Sequence, residues 1–127
     1  MRKAFTLLEM LVVIGIISVL VSMGFASYST AQKKARDAKR QGDLKAAQQI
    51  MEQCYSVNDF KYPTISGTDT ITATCPAGSG LTFTITDPLN TGTHKYTYTT
   101  DAVDGLTYSI TATLEANLTP FPVSNQQ

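Results

Sequence analysis

The chain contains 127 residues, of which ten are basic and ten are acidic, so its formal net charge is zero. This balance argues against a protein that binds nucleic acid through its overall electrostatic field. After a leader, an apolar run and a polar tail are subtracted, the remaining length allows one small soluble domain.

An apolar run near the N-terminus, residues 4–26, dominates the sequence, and from Met10 to its end it contains no charged residue. A helix needs roughly 17–25 apolar residues to cross a bilayer, and there it satisfies its own backbone hydrogen bonds. Gly15 and Gly24 would weaken a soluble helix but are common in membrane helices. The run therefore predicts one transmembrane helix.

Glu9 lies at the edge of this run and is its only ionisable residue. A carboxylate in a membrane segment costs about 2.5–3.5 kcal/mol at the helix centre and less near an end. No basic residue follows within two helical turns, whereas Arg2 and Lys3 precede it. Two interpretations stay open: Glu9 has a cationic partner, or it is solvated in the head-group layer.

A short basic leader, Arg2 and Lys3, is followed by the small residue Ala4. A secretory signal peptide places its small-residue cleavage site after the apolar region. Here the small residue comes before the apolar run, so a peptidase that cuts beside Ala4 would leave the run on the mature protein.

The segment from Lys3 to Glu9, Lys-Ala-Phe-Thr-Leu-Leu-Glu, followed by an apolar run, resembles the class III signal of type IV pilins and of type II secretion pseudopilins. The resemblance implies that a prepilin peptidase cuts between Ala4 and Phe5 and that the new amine of Phe5 is methylated. It also implies that Glu9 meets the N-terminal amine of a neighbouring subunit during assembly. Ala4 departs from the family, which usually has glycine there.

The resemblance further implies where the protein lies and what it contacts. Its expected partners are other copies of the chain in a helical filament, the prepilin peptidase, an inner-membrane assembly platform, and lipid before assembly. The expected location is the bacterial cytoplasmic membrane, with the N-terminus cytoplasmic and the sheet domain outside, and then a filament in the periplasm or on the cell surface.

Residues 27–55 read as a continuation of the same helix, because no proline interrupts them and apolar residues recur at helical spacing. The apolar stripe is narrow at first and widens near Ala47, Ile50 and Met51. We therefore expect the second half of the helix to pack against a sheet. Gly42 is the one position where we expect a bend.

A basic segment, Lys33–Arg40, lies within this helix. Three interpretations remain: a solvated helix face, a contact with anionic lipid head groups, or a nucleic-acid contact, for which the sequence gives no support. Positive charge next to a membrane helix tends to stay cytoplasmic, which conflicts with an external sheet domain. The cysteines and the family resemblance both favour the external location.

Two cysteines, Cys54 and Cys75, lie outside the apolar run. One pair is typical of a single disulfide in an oxidising compartment, and closing a loop of this size would contribute about 3 kcal/mol. The alternative is a pair of free buried thiols. A disulfide would connect the turn-rich residues 58–80, in which Ile71–Thr74 reads as a short strand, to the end of the helix.

Residues 81–115 switch to an alternation of apolar and hydroxyl-bearing residues, as in Leu81–Thr86 and Leu106–Leu114. This pattern predicts an α+β fold, in which the second half of the long helix packs on a three- to four-stranded antiparallel sheet. The family resemblance implies the same fold. The predicted divisions are a leader (1–4), a membrane and assembly helix (5–26), its amphipathic continuation (27–55), a loop and sheet domain (56–118) and a flexible tail (119–127).

The sequence contains no recognisable catalytic set, and we predict neither an enzyme nor a resident cofactor. His94 is the only histidine and is expected to be solvated at a turn. Two loops carry oxygen ligands of the kind that calcium prefers, and ordinary turn chemistry is the alternative. These residues are Asp87, Asn90, Asp101 and Asp104.

Two functions fit the sequence. The first is a structural subunit of a type IV pilus-like filament or pseudopilus that polymerises through its apolar helix. The second is a monomeric domain on a single membrane helix that binds a partner outside the membrane. The second gives Phe5 and Glu9 no special role.

Overall fold

The computed structural model describes residues 5–75, 79–100 and 105–126, apart from the side chain of Ala26. The chain divides into two compact units, Met1–Lys33 and Lys34–Gln127. One helix and six strands follow one another: α1 (Leu7–Val57), β1 (Ile65–Ser66), β2 (Thr70–Thr74), β3 (Thr82–Thr86), β4 (Thr97–Thr100), β5 (Tyr108–Thr113) and β6 (Pro120–Ser124).

Helix α1 is continuous over 51 residues and passes through Gly42 without a break. It ends at Val57, and the next residues include two in the left-handed region, Asp59 at φ 50° and Phe60 at φ 57°. Left-handed backbone is incompatible with further right-handed helix, so these residues stop α1. The long helix predicted from the sequence is confirmed.

In the first unit, every large apolar side chain of the helix is exposed, and the exposed fractions range from 48% at Val13 to 82% at Leu7. Within the described residues, α1 is the one helix long and apolar enough to cross a membrane, and none of its most apolar stretch is buried. The apolar run thus forms a helix with no packing partner inside its own unit.

The second unit contains two three-stranded antiparallel sheets, one in the order β1-β2-β3 and the other in the order β4-β5-β6. Ile71 pairs with Ile85 in the first sheet, and Ile110 pairs with Val123 in the second. The α+β class is confirmed, but the single meander predicted for residues 81–115 is wrong. Strands β1 and β6 lie in segments assigned to loop and tail, whereas β2 covers Ile71–Thr74, which the sequence indicated as a short strand.

Strand β6 occupies the segment that the sequence predicted to be a flexible tail. Its two prolines, Pro120 and Pro122, lowered its strand signal, because proline cannot donate to a ladder. An edge strand tolerates proline where the missing donor would point away from its neighbour. At the last residue of β6, Gln48 Nε2 of the helix donates to the Ser124 carbonyl at 2.8 Å.

The C-terminal segment makes a further contact with the helix through Glu52. Its carboxylate accepts hydrogen bonds from the Gln126 amide at 3.1 Å and from the hydroxyls of Tyr62 at 3.0 Å and Tyr108 at 3.4 Å. Burial and the bonded carboxylate both raise the pKa of Tyr62. The last residues are thereby attached to α1 rather than left as a tail.

The hydrophobic core of the second unit lies between α1 and the inner faces of the strands. Leu44 and Met51 of the helix are fully buried, as are Ile71 and Ile110 of the two sheets. Burying one such side chain contributes about 1.5–3 kcal/mol. The widened stripe near Ala47 and Met51 is therefore the packing face, as predicted.

The outward face of the first sheet carries a ladder of threonine hydroxyls that bond across β2 and β3. The pairs are Thr70–Thr86 at 2.9 Å, Thr72–Thr84 at 3.2 Å and Thr74–Thr82 at 3.3 Å. Each pair stabilises the sheet by a few tenths of a kcal/mol to about 1 kcal/mol. The alternating threonines of the sequence thus form the exposed side of a half-buried sheet.

Cys54 and Cys75 form a disulfide, with their Cα atoms 5.7 Å apart. Both residues are buried, at the end of the helix and just after β2. The bond connects the first sheet to α1, as the sequence predicted.

Candidate functional site

The start of helix α1 is held by a reciprocal pair of hydrogen bonds between Thr6 and Glu9. The Thr6 amide and hydroxyl donate to Glu9 Oε2 at 3.3 and 3.2 Å, and the Glu9 amide donates to Thr6 Oγ1 at 3.2 Å. This is a capping box, in which two side chains satisfy amides that have no partner within the helix. Glu9 therefore has local partners that are not cationic.

The sequence carries the signature of this capping box, Thr-x-x-Glu before an apolar run, which identifies Thr6 as an uncharged partner of Glu9. Glu9 is exposed, and so is Phe5, whose exposed fraction is 78%. Ala4 lies outside the described residues. The predicted cleavage, methylation and assembly roles of Ala4, Phe5 and Glu9 stay predictions.

The apolar surface of the first unit continues from Phe5 to Phe25, and most of its side chains are more than half exposed. Contiguous apolar patches on soluble monomers rarely exceed a few hundred Å². Larger ones mark contacts with a membrane or with another protein. This surface therefore needs a partner outside the chain.

The basic segment, Lys33–Arg40, divides into two kinds of residue. Its arginines, Arg36 and Arg40, turn inward and bind carboxylates. Its lysines, Lys33, Lys34 and Lys39, are exposed. The sequence could not distinguish the two, and only the lysines remain available to an external anion.

Arg40 is fully buried and binds three carboxylates. It contacts Asp87 through Nε at 2.6 Å and Nη2 at 2.9 Å, Asp37 through Nη1 at 2.7 Å, and Glu115 through Nη1 at 2.8 Å. Arg36 adds two parallel bonds to Glu115, at 2.7 and 2.6 Å. These five residues, the charge cluster, connect the helix to the loop after β3 and to the turn after β5.

The charge cluster shifts the pKa values of its members. Two guanidinium groups hold the pKa of Glu115 at about 2, chiefly through the Arg36 hydrogen bond. Burial alone would raise the pKa of Asp37, but amides of Glu115 and Ala116 and the Arg40 guanidinium outweigh it, so this pKa is lowered. All three carboxylates are thereby kept ionised beside the arginines.

Sequence analysis missed the charge cluster, although one signal was present. Arg40 precedes Leu44, Ala47 and Met51 by four, seven and eleven residues, so it continues the apolar stripe in phase. A charged residue in phase with a core stripe indicates a buried charge that needs partners. The partners come from distant loops, which no local pattern identifies.

The predicted calcium ligands do not form a site in the described residues. Both oxygens of Asp87 are bound by Arg40, and Oδ1 also accepts the amides of Leu89 and Asn90 at 2.9 and 3.3 Å. Of the two interpretations, ordinary turn chemistry therefore holds for Asp87 and Asn90, because the Arg40 guanidinium occupies the position that a calcium ion would take. Asp101 and Asp104 lie outside the described residues.

No group of three or more His, Cys, Asp or Glu residues that could hold a metal occurs in the part of the chain that the structure describes. His94 is only partly exposed, and its Nε2 is buried without a hydrogen-bond partner. The expected solvation of His94 therefore holds only in part, because its Nε2 is buried.

Comparison with known families places two matches end to end along the chain. Residues 1–25 match the family described as the prokaryotic N-terminal methylation motif. Residues 26–119 match the family described as type IV minor pilin ComP, DNA uptake sequence receptor. No curated protein and no solved structure matches the chain.

Proposed function

Since this chain belongs to the type IV minor pilin ComP family, we propose that it is cleaved by a prepilin peptidase and polymerises through its N-terminal helix into a type IV pilus-like filament. Pilin families are structural proteins, and membership in them makes the chain a pilin-like pilus subunit. The processing and the polymerisation are the parts proposed here.

The observation that carries the proposal is the contrast between an exposed apolar helix and a self-contained second unit. The second unit buries its own core and has a disulfide. The first unit exposes nearly all its apolar side chains. The second unit can therefore fold on its own core, whereas the apolar side chains of the first unit remain exposed. This is what we expect of a subunit whose helix contacts lipid before assembly and the helices of neighbouring subunits afterwards.

Cleavage between Ala4 and Phe5 would leave the capping box intact. The amide that Thr6 donates to Glu9 belongs to the Phe5–Thr6 peptide bond, which the cut does not touch. The mature chain would then begin one residue before the cap, with its amine close to the Glu9 carboxylate along the chain. The helix start is therefore built from residues that remain after processing.

Glu9 would select the axial register of neighbouring subunits. Leaving a carboxylate in an apolar helix packing without a cation is unfavourable, and the N-terminal amine of a neighbour removes that cost. Apolar packing favours many registers, but only one brings an amine to Glu9. Helix packing thus provides the contact area and the ion pair provides specificity.

The intact mass of the protein isolated from its own cells tests the processing. The expected mass is that of a chain that begins at methylated Phe5. An Ala4→Gly variant, which restores the small residue usual in the family, is expected to be processed at least as completely. A chain that still begins at Met1 and stays monomeric in the membrane would support the anchored binding domain instead.

Imaging of surface filaments with an antibody against the second unit tests the polymerisation. Labelled filaments are expected in the parent strain and none in a strain that lacks the gene. A minor subunit is expected to give sparse label along filaments built mainly from another pilin. Labelling confined to the membrane in cells that carry filaments would contradict the proposal.

A second candidate function, a DNA contact, follows from the description of the matched family as a DNA uptake sequence receptor. The chain offers few cations for it, because its net charge is zero and both arginines of the basic segment are bound internally. Exposed lysines of the second unit, such as Lys45 and Lys61, remain.

Duplex binding by the purified full-length protein, measured over a range of salt, tests this candidate. The slope of log affinity against log salt is about −0.9 for each phosphate neutralised. We expect a shallow slope of about −2 to −3, because only a few lysines would neutralise phosphates. We also expect the affinity to differ among duplex sequences. Absence of binding at low salt would exclude the DNA contact and leave the filament proposal intact.

A further inference from the structure

We propose that Lys33 and Lys34 bind the head groups of anionic phospholipids while the subunit waits in the membrane, in the leaflet on the C-terminal side of the apolar run. The inference rests on the proposed membrane anchoring but not on polymerisation. It assigns to the exposed lysines of the basic segment a ligand of defined chemistry, a lipid phosphate.

These lysines form no ion pair with the described residues of the chain. Lys33, Lys34 and Lys39 are exposed, and none takes part in an ion pair among the described residues. The arginines of the same segment are occupied by Glu115, Asp37 and Asp87. The lysines are therefore the cations that this part of the helix presents to its surroundings.

The sequence around Lys33 and Lys34 offers little negative charge. Between Glu9 and Asp37 the sequence contains no carboxylate. Asp37 itself is occupied by Arg40 and by the amides of Glu115 and Ala116. Nothing along this stretch of the helix offsets Lys33 and Lys34, so an external anion is the available partner.

Lys33 and Lys34 lie a short distance along the helix beyond the apolar run. Lys33 follows Phe25 by eight residues, or about 12 Å at 1.5 Å per residue. The head-group layer is roughly 5–8 Å thick on each side. Helical side chains point back toward the N-terminus, so a lysine stem returns its ammonium group to that layer. The exposed ring of Tyr28 lies between them, as expected for a residue at the interface.

The lysines of the basic segment point in different directions around the helix axis. Successive residues of an α-helix are rotated by about 100°. Lys34 is thus about 100° from Lys33, and Lys39 is about 120° from Lys33 in the opposite direction. Cations on all sides suit a layer of head groups that surrounds the helix. A DNA duplex approaches a helix from one side and would favour a stripe.

Lys39 lies about 9 Å farther from the membrane than Lys33, a full Debye length at physiological salt. It is therefore expected to contribute less than Lys33 and Lys34. This gradient separates a lipid contact from a general attraction between the protein and any polyanion.

Electron spin resonance on the full-length protein in vesicles tests the inference. Spin-labelled phosphatidylglycerol and phosphatidylcholine report how strongly each lipid associates with the protein surface. We expect an association constant about fivefold higher for phosphatidylglycerol, the equivalent of the about 1 kcal/mol that one lysine contributes near an anionic surface. The ratio is expected to fall as salt is raised, because screening weakens the contact.

The decisive variant is Lys33→Gln with Lys34→Gln, which is expected to lower the ratio to about one. A matched control, Lys45→Gln with Lys61→Gln, removes the same charge from exposed positions far along the chain and is expected to leave the ratio unchanged. Lys39→Gln alone is expected to produce a smaller decrease. Because all these side chains are exposed, the variants are expected to fold.

The outcomes separate this inference from the proposals on which it rests. Absence of any motionally restricted lipid would contradict membrane anchoring itself. Restricted lipid without selectivity, or selectivity that survives the Lys33 and Lys34 changes, would overturn the lipid contact alone. Loss of duplex binding in that variant, with lipid selectivity unchanged, would assign the two lysines to DNA instead.

Discussion

Both units of this chain contain part of helix α1, but its apolar side chains are exposed in the first unit and mostly buried in the second. In the first unit, helix α1 exposes Leu11 and Ile14, each with an exposed fraction of 60%. In the second unit the same helix buries Leu44 and Met51 completely. The backbone is helical in both, so the difference lies in where each apolar face finds its partner. The second face has its partner inside the chain, and the first needs one outside it.

The units also treat charge differently. Glu9, in the first unit, is bound by the hydroxyl and amide of Thr6. Arg40, in the second unit, is enclosed by three carboxylates. The Glu9 carboxylate can still form an ion pair with a cation of another subunit, whereas the Arg40 guanidinium is already hydrogen-bonded to three carboxylates of its own chain. We therefore expect Glu9 to control assembly and Arg40 to control stability.

The largest effect expected is that of Glu9→Ala on assembly. Removing one partner of a buried ion pair costs about 3–5 kcal/mol, so filaments are expected to decrease more than a hundredfold. The unfolding of the second unit should not change. Filament counts by electron microscopy and a thermal melt measure the two effects. Normal filaments in this variant would refute the role assigned to Glu9.

The reverse pattern is expected for Arg40→Met, which leaves Asp37, Asp87 and Glu115 without their shared cation. Loss of one member of a buried ion pair lowers the free energy of unfolding by about 3–5 kcal/mol. Lys39→Met, the exposed neighbour, serves as the control and should change it by less than about 0.5 kcal/mol. Equal urea midpoints for the two variants would show that the charge cluster does not stabilise the fold.

Replacing Cys54 and Cys75 together by serine is expected to lower the free energy of unfolding by about 3 kcal/mol, because the unfolded chain gains the freedom of an open loop. Insertion of the first unit into a membrane should not change. Denaturant unfolding of the parent chain with and without a reductant gives an independent measure. A parent chain that is insensitive to reductant would contradict the prediction.

A smaller effect is expected on acidification. Glu115 has a pKa of about 2 in the folded chain, below its ordinary value of 4.5. Stability from this group is complete above pH 4.5 and is lost as the pH falls toward 2, because the unfolded chain takes up the proton first. Urea midpoints measured over that range should decrease, and less steeply in Glu115→Gln. If the urea midpoints of the parent chain and of Glu115→Gln fell equally with pH, the pKa of Glu115 would not be lowered in the folded chain.

The smallest effect expected is that of Thr6→Ala on the helix start. Loss of an N-cap side chain lowers helix stability by about 1 kcal/mol. Thr6→Ser should keep most of that stability, because serine also caps helices. Hydrogen exchange of the first-turn amides in detergent micelles measures the change, which should not extend to the second unit. Equal protection in the alanine and serine variants would exclude the capping box.

Much of this fold was predictable because it depends on local periodicity. An apolar run of about 20 residues predicts a helix, and Leu81–Thr86 alternates strongly enough to indicate a strand. The Thr6–Glu9 capping box also depends on residues close together in the chain. Its Thr-x-x-Glu spacing was a sufficient signal, but only a cationic partner of Glu9 was predicted. The pairing of Cys54 with Cys75 followed from their being the only two cysteines.

The sequence by itself determined the helix, the class III signal and the threonine-bearing strands, since each depends on residues close together in the chain. It also limited any disulfide to a single pairing, because there are only two cysteines. Only the tertiary structure decided that Arg40 is buried, that Asp87 binds it rather than calcium, and that β6 is a strand. Those outcomes depend on groups that folding brings together from distant positions, such as Arg40 and Glu115. The free energy of a buried charge or of an edge strand depends on what lies opposite, and neighbouring residues along the chain do not specify that.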